Sequence, residues 1–258
     1  RAGALEMRKR PVAEIKRLLG SDNTLPATRN PSPAGTLQPP ASSLQPLASS
    51  HHLHQYLHLV AALGADPTPL APQLVVTQAE MEAVAAKFGL PNLADGSPVL
   101  LGLNPGAEYG PAKRWPANRF VEVAAHVQRH PGCRWLVFGG SAETALAGKI
   151  AADICCEAER PPTIGQRSLV LPAASFAGRT SLRELMGLLK LCRVLLTNDT
   201  GPMHVAAALG TPVVVPFGST SPELTGPGLP GDPRHALLKS DAPCAPCFLR
   251  ECPVDFRC

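Results

Sequence analysis

Residues 195–218, LLTNDTGPMHVAAALGTPVVVPFG, hold the residues of this chain whose types and spacing speak most directly of chemistry. Between two apolar runs lie Asn198, Asp199, Thr200 and Gly201, followed by Pro202 and a stretch of small residues. The pattern predicts a buried strand, a polar turn, a short helix and a second buried strand. Pro202 suits the first helical turn, where a missing N–H forfeits no hydrogen bond. A helix that opens with free backbone N–H groups at the end of a strand is an anion site, and phosphate is the usual anion. Thr200 and Gly201 would supply hydroxyl and backbone donors there, unless they only start an ordinary capped helix. Asp199 would repel a phosphate and accepts hydrogen bonds, so it suits hydroxyls such as those of a sugar. Its plainer role is an Asx-turn capping the same helix. A pyrophosphate beside a polyol describes a nucleotide sugar.

Three further residues fit such a ligand. Lys113, in NPGAEYGPAKRWP (104–116), is a flexible ammonium in a loop after a strand, with Gly106 and Gly110 allowing close backbone approach. It could stabilise the charge that grows on a departing diphosphate, or it could be a solvated loop lysine. Glu143 follows RWLVFGG (134–140) and opens the next helix. A carboxylate there could accept from ribose hydroxyls or simply complement the helix dipole. His204, two residues past Pro202, could reach a phosphate from the first helical turn, although a lone helical histidine is more often structural.

The elements that position these residues follow from periodicity. From residue 98 the chain alternates apolar runs with helical patterns: strands over 98–106, 134–140, 168–172, 193–199 and 212–218, helices over 118–130, 143–156, 181–192 and 202–210. Ser181 and Glu184 form a capping-box pattern. Near-continuous apolar strands alternating with helices predict an α/β fold, a Rossmann-like parallel sheet covered on both faces. Ligands of such sheets sit beyond the strand C-termini, where the turns carrying Lys113, Glu143 and Asp199 all lie. Upstream, 51–64 reads as a helix ended by Gly64 and 80–90 as another stopped by Gly89 and Pro91.

Composition sets bounds. The 258 residues are 45% hydrophobic and only 4% aromatic, which predicts an aliphatic core. The formal charge of +4 has no basic block behind it, an argument against nucleic acid. No apolar run approaches the ~20 residues of a membrane span, and no signal pattern follows RAGALEMRKRP. A cytoplasmic protein is the expectation. Residues 21–50 are rich in Pro, Ser and Ala and nearly uncharged, and read as a linker or disordered insertion.

The blocks NPGAEYGPAKRWP (104–116), VFGGSAE (137–143) and FAGRTSLRELMGLLKLCRVLLTNDTGPMHVAAALGTPVVVPFGSTSPELTGP (176–227) resemble, in order, the C-terminal half of the ADP-heptose:lipopolysaccharide heptosyltransferases of glycosyltransferase family 9, nearest the heptosyltransferase II type. The resemblance implies the GT-B arrangement, two Rossmann-like domains across a cleft, with the donor on the C-terminal one. It implies transfer of heptose, with inversion, from ADP-L-glycero-D-manno-heptose to the lipid A/Kdo-heptose inner core of lipopolysaccharide, at the inner face of the cytoplasmic membrane and with no obligatory metal or cofactor. It assigns Gly106, Lys113, Glu143, Asp199, Thr200, Gly201 and His204 to the donor, with Lys113 on the phosphate.

The departures are as informative. Nothing before residue 98 reads as a series of strands and helices, so the N-terminal acceptor domain is largely missing from this reading. Residues 1–20 look like its remnant, 51–97 like an interdomain helical segment, 98–240 like the nucleotide-sugar domain and 241–258 like a Cys-rich loop. No residue matches the family's acceptor-side catalytic Asp, and none is assigned as base. Two rival functions stay open: a non-catalytic nucleotide-sugar-binding module, and another two-domain nucleotide-sugar enzyme such as an epimerase.

The eight cysteines divide into two sets. Cys133, Cys155, Cys156 and Cys192 fall in element-like segments and read as buried thiols. Cys244, Cys247, Cys252 and Cys258 form C-x2-C-x4-C-x5-C. Structural zinc and free or pairing thiols are both open there, and the spacing matches no standard zinc ribbon. The histidines at 51, 52, 54 and 58 lack a third ligand and read as the polar face of a helix.

Overall fold

The structure, a computed structural model, describes residues 2–20, 51–91, 97–129, 132–158 and 171–258. Its centre is a six-stranded, all-parallel sheet: β1 (Val99–Asn104), β2 (Cys133–Val137), β3 (Ala174–Ser175), β4 (Val194–Thr197), β5 (Val213–Phe217) and β6 (Ala236–Lys239), in spatial order β3-β2-β1-β4-β5-β6. The order reverses between β1 and β4, which opens a crevice at the strand C-termini where doubly wound sheets take their ligands.

The strands read as unbroken apolar runs because both faces are covered. Along β1, Leu101 and Leu103 enter one core layer while Leu100 enters the other. In β2 and the residue after it, Trp135 and Val137 face one way and Leu136 and Phe138 the other. The first layer is closed by α1 (Ala2–Leu19), α4 (Ala117–Gln128) and α5 (Thr144–Ala158). Trp135 is fully buried there, and its indole N–H donates to the Ala124 carbonyl at 3.0 Å, so its one polar atom is satisfied. The second layer is closed by α3 (Gln78–Lys87), α6 (Leu182–Leu191) and α7 (Gly201–Ala208). Gly187 of α6 lies against Val84 of α3, where a Cβ would come within 3.1 Å of the Val84 side chain.

The α3–α6 contact is stitched by its caps. Ser181 and Glu184 form the expected capping box, and Thr77 and Glu80 form a second that the sequence reading did not single out. Each capping glutamate also pairs with a cation of the other helix, Glu80 with Arg183 at 2.7 Å and Glu184 with Lys87.

Two expectations need correction, and one strand had not been expected. The third strand lies at Ala174–Ser175, whereas 168–172 was the predicted run; 171–172 are not in a strand, and 168–170 lie outside the described residues. Only two residues pair with β2 at this sheet edge, too few to leave an apolar pattern. Cys155 is half-buried and Cys156 exposed, because the core stripe of α5 runs through Ala147, Ile150, Ala151 and Ile154. Strand β6 had no counterpart in the sequence reading. The predicted linker, 21–50, lies outside the described residues. Residues 1–20, read as the remnant of a preceding domain, supply a helix that packs on α4, β5 and β6, with Ile15 fully buried in the first layer.

Helix α2 (His52–Ala62) buries none of its residues. His51 caps it: Nδ1 accepts the Leu53 N–H at 3.1 Å, and Nε2 lies 3.0 Å from the Gly226 carbonyl, a pairing that fits the neutral Nε2–H tautomer.

His235 makes stability depend on pH. Its ring is buried, its Nδ1 accepts the Val213 N–H at 3.3 Å, and Nε2 lacks a hydrogen-bond partner. Burial pushes the imidazole below its ordinary value of 6.5, with Arg234 adding to the effect and Asp232 opposing it. The unfolded chain therefore takes up this proton at a higher pH than the folded one. Folding stability is lost as pH falls from 6.5 towards the folded value. Urea unfolding at successive pH values is expected to show this acid-side loss, and His235→Leu to flatten it.

Candidate functional site

The loops that follow β1, β2, β4 and β5 gather at one end of the sheet. Asn198, immediately after β4, is fully buried and ties three segments together. Its Nδ2 donates to the Pro105 carbonyl at 2.7 Å and the Gly106 carbonyl at 3.2 Å, and its Oδ1 accepts the Trp115 N–H at 2.9 Å. The turn after β4 thus fixes both ends of the loop after β1. Trp115 itself is buried edge-on against Phe120, with ring centroids 5.1 Å apart.

That latch brings Lys113 and Asp199 together. Lys113 Nζ lies 2.8 Å from Asp199 Oδ2, with side-chain exposures of 16% and 5%, so the pair is largely removed from water. The same oxygen accepts from Thr220 Oγ1 at 2.8 Å and Thr225 Oγ1 at 3.3 Å. Thr225 belongs to α8 (Pro222–Thr225), the short helix after β5. The hydrogen bonds of Asp199 thus run to Lys113, Thr220 and Thr225 rather than to an amide of α7. Thr200, the N-cap of α7, makes no side-chain cap bond either. Gly201 is exposed with open space beside its Cα, whereas Met203 of the same turn is fully buried.

His204 closes the first turn of α7, under the electrical influence of Asp199, Lys113 and His51. Crowding by surrounding protein pushes its imidazole below the ordinary value, and Asp199 opposes that shift without cancelling it. His204 is thus a neutral, solvent-accessible ring at neutral pH. Glu143 ends the 3₁₀ turn Ser141–Glu143 before α5, where its Oε2 accepts the Gly140 N–H at 2.9 Å. A Cβ on Gly106 would sit 1.7 Å from Glu143 Oε1, so glycine at 106 makes room for this carboxylate. Gly110 makes room for the backbone: a Cβ there would lie 2.4 Å from the Arg250 carbonyl oxygen.

All seven positions singled out in the sequence lie at the C-terminal end of the sheet, on the loops after β1, β2 and β4 and the first turn of α7. Sequence reasoning missed four contributors. Thr220 and Thr225 complete the shell of Asp199, Asn198 is the latch, and Tyr109 lies between two cations. Lys113 Nζ is 5.1 Å and the Arg250 guanidinium 5.4 Å from its ring centroid. Asn198 carried a signal, a buried-type position directly after an apolar strand, but was read as turn filler. The threonines carried none, being 21 and 26 residues from the carboxylate they meet.

Comparisons with known proteins agree with one another. The family described as Glycosyltransferase family 9 (heptosyltransferase) matches residues 38–256. Lipopolysaccharide heptosyltransferase 2 of Salmonella typhimurium is 34% identical over 162 residues, covering 62% of this chain and 42% of that protein. Lipooligosaccharide heptosyltransferase 2 of Campylobacter jejuni serotype O:2 is 30% identical over 168 residues, covering 65% and 48%. Among solved structures, E. coli ADP-heptose lps heptosyltransferase II superposes with a TM-score of 0.55 at 28% identity, over 72% of this chain and 57% of that one. The glycosyl transferase family 9 protein of Veillonella parvula gives 0.57 at 25% identity, over 74% and 49%. The chain spans less than half the length of the curated relatives it matches.

Proposed function

Since the chain belongs to glycosyltransferase family 9, we propose that it holds the ADP-heptose donor of a lipopolysaccharide heptosyltransferase, in the crevice between the loops after β1 and β4. The observation that carries this reading is the buried Lys113–Asp199 pair. It sits where the strand order reverses, beside the exposed Gly201 that starts α7.

In this reading the Thr200 hydroxyl, the Gly201 amide and Lys113 take the pyrophosphate. As the glycosidic bond to the diphosphate breaks, Lys113 meets the negative charge that develops on the leaving oxygen. Asp199 has two tasks, accepting from sugar hydroxyls and holding Lys113 at the phosphate. His204, neutral at neutral pH, donates one hydrogen bond to a phosphate oxygen. Glu143 accepts from the ribose hydroxyls at the nucleoside end. The acceptor is the lipid-linked inner core, approached from the open side of the crevice; its hydroxyl attacks the anomeric carbon with inversion and gives up its proton to a general base outside the donor site. No described helix is long and apolar enough to cross a membrane, and access to that acceptor is by peripheral contact in this proposal.

Calorimetric titration with ADP and with ADP-heptose tests the donor site, and a heptose-transfer assay with a Kdo-heptose core acceptor tests turnover. Binding with transfer is the expected result. Binding of both ligands without transfer would mark a nucleotide-sugar-binding module, and conversion of donor without acceptor would mark an epimerase. A chain that binds neither ligand rules the proposal out.

A further inference from the structure

The geometry points to a thiol-modification site outside the crevice. Cys252 attacks small disulfides of the glutathione class and ends paired with a cysteine that shares its cavity, which loosens the loop carrying Lys113. Cys244, Cys247, Cys252 and Cys258 line one cavity of about 50 Å³, and Ala112, the residue before Lys113, forms part of its wall. No three His, Cys, Asp or Glu side chains among the described residues form a group that could hold a metal ion. As placed, these sulfurs do not fit the structural zinc that their spacing left open. A disulfide asks less, since only two sulfurs have to meet. All four are free thiols, and they sense one another. Burial pushes the Cys258 thiol up, and the charges of Cys244, Cys252 and Cys247 add to the effect.

The thiolate is the nucleophile, so reactivity goes to the sulfur whose negative charge is best held. Cys252 is that sulfur. The Phe256 N–H donates to its Sγ at 3.3 Å. The N–H groups of Val254, Phe256 and Asp255 hold this thiol below its ordinary value, against burial and the Asp255 carboxylate. Arg257, fixed by Asp255 at 2.8 Å, brings a positive charge near Cys244 and Cys252. Cys252 is only half-buried, so a small disulfide reaches it. Cys133 and Cys192 are the contrast: burial in the core pushes both thiols up.

The chemistry is thiol–disulfide exchange. The Cys252 thiolate bonds to one sulfur of the small disulfide, whose S–S bond breaks and releases one thiolate. A second cysteine of the cavity loses its proton and attacks Cys252 Sγ, which releases the other. The two protons given up by the cysteines end on the two small thiols. Two cysteine thiols are oxidised and one small disulfide is reduced.

The segment is tied directly to the loop after β1. Ala112 N–H donates to the Arg250 carbonyl at 3.0 Å, and Tyr109 Oη donates to the Phe248 carbonyl at 3.3 Å. Phe248 takes a left-handed φ of 56° and donates its own N–H to the Ser219 carbonyl at 2.7 Å. Both anchors, Phe248 and Arg250, lie between Cys247 and Cys252. Drawing Cys252 into a disulfide therefore displaces the backbone on which that loop rests. The effect on ADP rests on the donor reading proposed above; the thiol site itself does not.

Reduced full-length chain treated with iodoacetamide at neutral pH is expected to be alkylated first at Cys252, ahead of the exposed Cys156 of α5. Oxidised glutathione is expected to leave Cys252 in a disulfide with Cys244, Cys247 or Cys258, mapped by peptide mass. Cys252→Ser is expected to block that disulfide and Cys156→Ser to permit it. Oxidation is expected to speed hydrogen exchange at Ala112 while the amides of β4 stay protected, which separates local release from unfolding. ADP binding is expected to weaken about 10-fold in the oxidised parent, the worth of about one hydrogen bond, and to hold steady in Cys252→Ser. Alkylation of Cys252 no faster than Cys156 would overturn the site, and a lasting glutathione adduct without an internal disulfide would overturn the pairing. Equal exchange at Ala112 in reduced and oxidised protein would overturn the coupling. A reduced chain that binds no ADP counts against the donor site alone, because alkylation and exchange are read without nucleotide.

Discussion

Lys113→Met is expected to weaken ADP binding by about 10- to 100-fold, the equivalent of one charge-assisted hydrogen bond to phosphate. It is also expected to destabilise the fold by about 3 kcal/mol, because it leaves the carboxylate of Asp199, 5% exposed, without its cation. The two effects can be pulled apart. Lys113→Met combined with Asp199→Asn removes both charges and keeps the volume, so it is expected to recover most of the lost stability while ADP binding stays weak. Urea unfolding and calorimetry on the single and double variants close the cycle. If Lys113→Met binds ADP as tightly as the parent, the lysine is a partner for Asp199 and nothing more.

Asn198→Asp should be more damaging to the fold than any substitution in the crevice. Its amide nitrogen donates to two carbonyls, at 2.7 and 3.2 Å, and a carboxylate in its place presents negative charge to both. The cost of an uncompensated charge at such a buried position is about 3–5 kcal/mol. Asn198→Ala, which leaves the Trp115 N–H and two carbonyls without their partner, is expected to cost less, about 2–3 kcal/mol. A pH series distinguishes the two. A carboxyl held there binds its proton more tightly folded than unfolded, so the Asn198→Asp penalty should shrink as pH falls, whereas the alanine penalty should not.

What was legible in the chain, and what was not, follows from the range of the interactions. Strands β1, β2, β4 and β5 could be read because burial on both faces forces long apolar runs, and α6 because Ser181 and Glu184 sit three residues apart. Strand β3 pairs through two residues, and β6, ALLK, follows a Pro- and Gly-rich stretch, so neither leaves a period to find. The candidate site divides the same way. Asp199, Thr200, Gly201 and Lys113 stood out from local pattern and from resemblance to a family. Their meeting depends on β1 and β4 being neighbours, a contact that spans 86 residues. Thr220 and Thr225 lie in a Ser/Thr-rich stretch of a kind that any loop could contain. The cysteine spacing was visible, but only the fold shows that its backbone grips the loop ahead of Lys113.

The pairing of Lys113 with Asp199 also bears on discrimination between ligands. With its cation already answered by a carboxylate, the crevice presents less net attraction to a bare phosphate than an unpaired lysine would. A polyol without phosphate meets the mirror-image difficulty. A molecule carrying both groups at the right separation satisfies both partners at once. On the proposed reading the pair works as a coincidence detector, and it would let the site favour a nucleotide sugar over inorganic phosphate or a free sugar.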